Sequence, residues 1–249
     1  MSETLMAVAL AGNALTFPTV TYAQTAQPVS GAQSSVSVQA GFPANMSAQA
    51  RFMAEYILQG QGERHFVMID KANARMFVFE NGRVIDEGPV LLGKNKGDTR
   101  PVADYAVPAG QFRARLLQGR ELEREGYRRG QFIEFQCGPA RGGGTLCAGL
   151  HAVWLGNPSD RRLERLASPT IEDNNISHSC VNAENGDFDS AWNVLTNPHN
   201  VNREGRTPYI YILPEEDTSI AGTAEFFHIP QSYMNGYSGQ APVLSAEIR

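Results

Sequence analysis

The stretch His65-Phe-Val-Met-Ile-Asp-Lys-Ala-Asn-Ala-Arg-Met-Phe-Val-Phe-Glu-Asn-Gly-Arg-Val-Ile-Asp-Glu-Gly-Pro-Val-Leu-Leu-Gly93 decides the fold. His65 to Asp70 and Arg75 to Glu80 are short apolar runs rich in β-branched and aromatic residues, separated by a turn at Lys71 to Ala74. Asn81-Gly82 is the strongest short-range hairpin signal, because a two-residue turn that suits twisted strands needs positive φ at both positions. It leads into Arg83 to Asp86 and Gly88 to Gly93, so a β-meander opens the folded part.

Working outward, Ala48 to Gly60 places Phe52, Tyr56 and Ile57 at helical spacing, with Gly60 as a stop. Val107-Pro-Ala-Gly-Gln-Phe112 is a turn entering another strand. Phe132 to Gln136 and Leu150 to Leu155 are further strands, and Pro208 to Pro214 is a last one bounded by prolines. Arg161 to Leu166 and Asp187 to Leu195 read as short helices. Mixed charges between Arg113 and Arg129 indicate a solvated surface element. The expectation is one domain, mostly β with a few helices.

Composition narrows the function. The chain has 249 residues, a formal net charge of -5, 42% hydrophobic residues, 24 Gly and 14 Pro. The apolar content supports a real core, and the Gly and Pro content favours short strands and turns. No basic excess is present to displace counterions from phosphate, so a duplex nucleic-acid binder is excluded. No apolar run reaches the roughly 18 residues of a membrane span. Residues 1–23 combine an apolar run from Leu5 to Ala11 with a small-residue cleavage point near Ala23, although the only charge before Arg51 is Glu3. They are expected to be a secretory signal. Residues 24–47 read as a flexible leader and 215–249 as a C-terminal extension without strong periodicity.

Three cysteines bear on compartment and chemistry. Cys137 and Cys147 bracket a Gly-rich loop that could let the sulfurs meet, and a disulfide there is normal only in an exported protein. Cys180 is left over. An unpaired thiol becomes a nucleophile when an imidazole takes its proton. His178 is two positions away, on the same face if both lie in a strand, and His151 follows an apolar strand upstream. Metal-ligand spacings such as CxxC or HExxH are absent from the sequence, so no metal or cofactor is expected.

Ser177-His178-Ser179-Cys180-Val181-Asn182, with His151 upstream, resembles the active-site signature of L,D-transpeptidases with a YkuD-type catalytic domain. That signature is a histidine, a spacer, then Ser/Thr-His-Gly-Cys-hydrophobic-Asn or Arg. The hairpins at 65–93 and the Val107 to Phe112 turn are similar to the family's own. The stretch Arg165 to Thr170, then Asp173-Asn174 and Ile176-Ser177, looks like a proteobacterial branch. The resemblance covers roughly residues 64–214 and implies a YkuD-type β-sandwich catalytic domain; with the N-terminal helix the expected domain is 48–214.

It also implies chemistry. Cys180 would attack a carbonyl of a peptidoglycan stem peptide, with His151 as general base and His178 as the supporting histidine. Backbone N–H groups around Ser179 and Cys180 would form the oxyanion hole, with Ser177 and Asn182 shaping the site. Arg161, Arg162 or Arg165 could hold substrate carboxylates, or could simply form a solvated helix face. The implied location is the periplasm, and the implied partner is the peptidoglycan stem. Two departures stand out: Ser179 replaces the motif's glycine, and 25 residues (152–176) separate His151 from Ser177. Water as acceptor would make the protein an L,D-carboxypeptidase. A catalytically impaired peptidoglycan-binding relative would take no covalent acyl group, and a structural protein with Cys180 in a disulfide would show no free thiol.

Overall fold

The computed structural model describes residues 41–237 apart from Arg100 and Arg141. The expected signal segment, the leader up to residue 40 and the last twelve positions of the tail, 238–249, lie outside the described residues.

The meander forms as its sequence dictates. Strands β1 (Phe66–Asp70), β2 (Arg75–Glu80) and β3 (Arg83–Gly93) pair antiparallel. Asn81 and Gly82 take φ of 52° and 78° at the hairpin, which is why this dipeptide sits there. At eleven residues β3 is long enough to serve two layers. Its first part pairs with β2, and Val90 and Leu91 pair with β9 (Val181–Ala183).

The remaining strands are β4 (Gly110–Arg113), β5 (Arg115–Gln118), β6 (Gln131–Pro139), β7 (Thr145–Ala152), β8 (Asn175–Ser177) and β10 (Tyr209–Leu213). The hydrogen-bonded order is β4-β10-β1-β2-β3-β9-β7-β6-β5, with β8 beside β3. This path folds over β3 into a sandwich. Val67, Ile69, Met76 and Val78 from one half meet Ile133, Leu150 and Val181 from the other. Phe188 and Val194 of α4 (Asn185–Thr196) close this inner core.

Alternate residues of the same strands face outward. Phe66, Met68, Phe77, Phe79 and Tyr211 pack against Phe52, Met53 and Ile57 of the N-terminal helix. That helix is α1 (Ala48–Glu55), capped by the Ser47 hydroxyl and widened into a π turn over Tyr56–Gly60. Because both faces of β1 and β2 are covered, these strands are apolar almost throughout.

Two sequence expectations need correction. The segment from 215 is not a featureless tail. It contains α5 (Ile220–Phe226), capped by Ser219, and α6 (Gln231–Gly236). Tyr237 then lies edge-on to Phe52 with ring centroids 4.9 Å apart, so the apolar face of α1 requires this cover. The strand expected to end at Leu155 ends at Ala152, freeing Trp154 for the cleft. The charged stretch 113–129 has no buried residue, in keeping with a surface element, and holds β5 and the short helix α2 (Arg120–Arg124).

Cys137 and Cys147 are register partners on β6 and β7 and are joined by a disulfide with a Cα–Cα distance of 4.0 Å. Cross-strand pairing, rather than loop flexibility, brings the two sulfurs together. Among the described residues no helix is long and apolar enough to cross a membrane.

Candidate active site

Cys180 lies in the turn that links β8 to β9, not in a strand. The condition under which His178 and Cys180 would share a strand face is therefore not met. Strand alternation does not operate across residues 178–180, because Ser179 adopts φ +74°. That left-handed conformation favours glycine and costs another residue about 1–2 kcal/mol. The side chain offsets part of this: Ser179 is fully buried, and its Oγ donates to the Val102 carbonyl at 2.5 Å. The Ser177 hydroxyl donates to the Cys180 carbonyl within the same turn.

Parallel pairing of β7 with β9 brings the distant histidine to the strand that begins directly after the thiol. Leu150 is opposite Val181 and His151 is opposite Asn182, so the His151 and Asn182 side chains leave the same face of the sheet. His151 is buried against Phe132, with ring centroids 5.7 Å apart, and edge-on to Tyr127 at 5.0 Å. Its Nδ1 is 2.7 Å from the Ala152 carbonyl oxygen. A carbonyl only accepts, so Nδ1 carries the proton and the Nε2 lone pair is left for a substrate or a thiol.

Burial sets the charge state of this pair. Desolvation pushes His151 down to about 4 against the pull of the Ala152 hydrogen bond, and the nearby Arg162 charge lowers it further. Desolvation also pushes the Cys180 thiol up to about 11, while a Gly149 backbone hydrogen bond and Arg162 pull it back. At neutral pH thiol and imidazole are thus both uncharged in the resting state. Gly149 must be glycine here, since a Cβ would meet the Phe132 ring at 2.3 Å and the Ile133 carbonyl oxygen at 2.7 Å.

His178 is exposed. Its ring packs on Tyr105 at 4.6 Å, and the Lys94 ammonium lies 4.5 Å from the same tyrosine ring. Partial burial lowers its pKa, and the Lys94 and Arg162 charges add to the effect against Asp160. The loop carrying Tyr105 and Val102 is clipped at both stems by one buried ammonium. Lys71 Nζ donates to the Gly97 and Val107 carbonyls at 3.0 and 2.8 Å and to Asp98 Oδ1 at 2.8 Å.

The three arginines differ sharply. Arg161 is exposed and pairs with Glu164. Arg165 donates to the Asp160 and Asp173 carbonyls at 2.7 and 2.8 Å. Both close the segment around α3 (Arg162–Leu166) onto itself. Arg162 instead reaches into the cleft, where Nη1 donates to Asn182 Oδ1 at 2.7 Å. Its Nε and Nη2 grip Asp160 Oδ2, and its guanidinium lies 5.3 Å from the Trp154 ring.

The model of the YkuD family, the L,D-transpeptidase catalytic domain, matches residues 64–208. The chain belongs to this family. Among solved structures, the Ldtfm–avibactam carbamoyl enzyme is 13% identical over 60% of this chain and 49% of its own, with a TM-score of 0.33. The chain thus spans about half the length of that protein. The catalytic domain of the E. faecium L,D-transpeptidase is 16% identical over 60% of this chain and 97% of its own, at a TM-score of 0.31. Bdellovibrio bacteriovorus Bd1075 is 16% identical over 70% and 56%, at 0.40. No curated protein sequence matches.

Within this YkuD domain the structure gathers Cys180, His151, Ser177, Ser179 and Asn182 around the β7–β9 pair. Sequence reading missed Tyr127, Phe132, Gly149 and Trp154, and it did not separate Arg162 from its two neighbours. Spacing gave no signal for these, because they come from four segments that converge only in three dimensions. The described acidic and sulfur ligands that approach one another closely are Glu134, Cys137 and Cys147, and both sulfurs are committed to the disulfide.

Proposed function

We propose that the protein is a cysteine-dependent peptidoglycan L,D-transpeptidase that works in the periplasm. The observation that carries this reading is the β7–β9 register, which sets His151 opposite Asn182, two residues after Cys180, while the Ala152 carbonyl holds the proton on Nδ1 and leaves Nε2 as the basic nitrogen. Such an imidazole suits general-base activation of a thiol as it attacks.

Cys180 Sγ attacks the carbonyl carbon between the L-centre of a diamino acid and a D-residue, while His151 Nε2 takes the thiol proton. Backbone N–H groups at Ser179 and Cys180 stabilise the developing oxyanion, each donor contributing about 3 kcal/mol. The C–N bond then breaks, the imidazolium returns the proton to the leaving amine, and a thioester remains. An amine from a neighbouring stem attacks the thioester, gives its proton to His151 and forms the cross-link as the thiol is released. His178 supports the turn from its stack on Tyr105, and Ser177 and Asn182 shape it. No metal enters any step. The disulfide supports an oxidising compartment, and the Arg165 to Ser177 sequence supports a proteobacterial branch.

Intact mass after incubation with imipenem tests the reading. One adduct per chain, absent from Cys180→Ala, is the expected outcome. A free thiol that takes no adduct overturns it and leaves a peptidoglycan-binding relative. Digestion of treated peptidoglycan then separates amine from water as acceptor.

A further inference from the structure

Asn182 is fully buried, and its two amide ends are treated differently. Oδ1 accepts from Arg162, whereas Nδ2 has no hydrogen-bond partner among the described residues. Arginine is a donor without acceptor capacity, so it fixes which end of the carboxamide faces it. The unmet end is therefore a donor, and it belongs to a side chain on the sheet face shared with His151. A buried donor left without a partner is costly unless an acceptor arrives.

Arg162 is itself tightly held. Asp160 engages it through two nitrogens, Trp154 lies beneath it, and only 11% of its side chain is exposed. Its charge is felt at Cys180, His151, His178 and Tyr127, which puts it at the centre of the cleft although it comes from the long spacer.

We propose that Arg162 and Asn182 form a recognition pair for an oxygen acceptor of the stem peptide, a carboxylate or carbonyl, with Asn182 Nδ2 as the donor and Arg162 as the residue that orients it. The ligand class rests on the transpeptidase reading, but the test does not need the chemistry. Asn182 is thereby a binding residue rather than a fixture of the turn, and Arg162 is a positioning residue supplied by the segment between β7 and β8.

The test measures binding of a stem tetrapeptide to full-length Cys180→Ala protein by calorimetry. Adding Asn182→Leu, which removes the donor without adding charge, is expected to weaken binding by about tenfold or more, the effect of losing one good buried hydrogen bond. Asn182→Asp keeps an acceptor for Arg162, so it folds, but it too loses the donor and weakens binding. Arg162→Lys keeps the charge without the planar fork and gives an intermediate loss, whereas Arg162→Met gives a larger one. In protein that keeps Cys180, Arg162→Lys raises KM for the tetrapeptide more than it lowers kcat. A merely structural role would move both together. Binding by Asn182→Leu or Asn182→Asp as tight as the parent, with native melting, overturns the proposal, as does failure of the parent to bind the tetrapeptide. The acyl-transfer reading stands or falls separately, on the imipenem adduct.

Discussion

The layer around α1 and the cleft around Cys180 are both buried, yet they bury opposite kinds of group. In the layer, Phe66 stacks on Phe79 with centroids 4.1 Å apart, and Phe52, Phe77 and Tyr211 fill the space to the helix. The tyrosine's one polar atom is met by Gln61 at 2.8 Å. In the cleft a half-buried thiol lies among a buried imidazole, a buried carboxamide with an unmet donor and a buried serine at positive φ. Each of these costs free energy where the aromatic layer gains it. Local rules of sequence and structure are obeyed where stability is made and broken where the site is built.

Substitutions can break this comparison, and the largest effect is expected in the layer. Phe77→Ala should destabilise by about 3–5 kcal/mol through lost burial and a cavity. The fraction that remains folded should still take the imipenem adduct at the wild-type rate. A urea titration read beside the intact mass checks both statements, and a matched loss of labelling per folded molecule would remove the division of labour.

Next in size is the cleft's own dependence on pH. His151 is neutral in the folded protein down to about 4, whereas an unfolded histidine takes its proton near 6.5. Below about 6.5 the unfolded chain binds a proton the folded one refuses, so stability falls as pH falls, by roughly 3 kcal/mol on reaching pH 4. Above that window the contribution is constant. His151→Gln should flatten this slope and abolish acylation together. A variant that keeps the wild-type slope between pH 6.5 and 4 would show that the histidine is not the source.

A third change acts on neither region directly. Replacing Cys137 and Cys147 by Ser opens a short loop and should cost about 2–3 kcal/mol through the freer unfolded chain. The imipenem rate should not change, because the two residues are paired within the β6–β7 ladder. Thermal melting with and without reductant, with the double variant as control, measures it.

The smallest effect is predicted at the nucleophile turn. Ser179→Gly relieves the left-handed strain but loses the bond to Val102, two terms of about 1 kcal/mol each that oppose one another. Its melting temperature should lie within a few degrees of wild type. Ser179→Ala keeps the strain and loses the bond, so it should melt lower than either. The reverse order would mean that the hydroxyl does not hold the turn.

Much of this was legible in the chain. The meander from residue 66 to 93 followed from period-two runs and Asn81-Gly82, and the thiol with its two histidines followed from the Ser177 to Asn182 motif. The helices after 215 were not legible, because six or seven residues carry too little periodicity to register. They form because α1 needs a second cover. Whether Cys180 lies in a strand was not legible either, because strand alternation assumes negative φ throughout and Ser179 departs from it.

By itself the sequence determined which residues are chemically able to act: one unpaired thiol, a histidine on an apolar strand, and a run of arginines in a long spacer. Tertiary structure decided which of them meet. The parallel register of β7 and β9 put His151 beside Asn182. The Ala152 carbonyl chose the imidazole tautomer, and a single hydrogen bond to Asn182 distinguished Arg162 from Arg161 and Arg165. The reason is physical. Reactivity depends on desolvation and on angstrom-scale contacts between segments far apart in the chain, and local residue patterns carry no information about either.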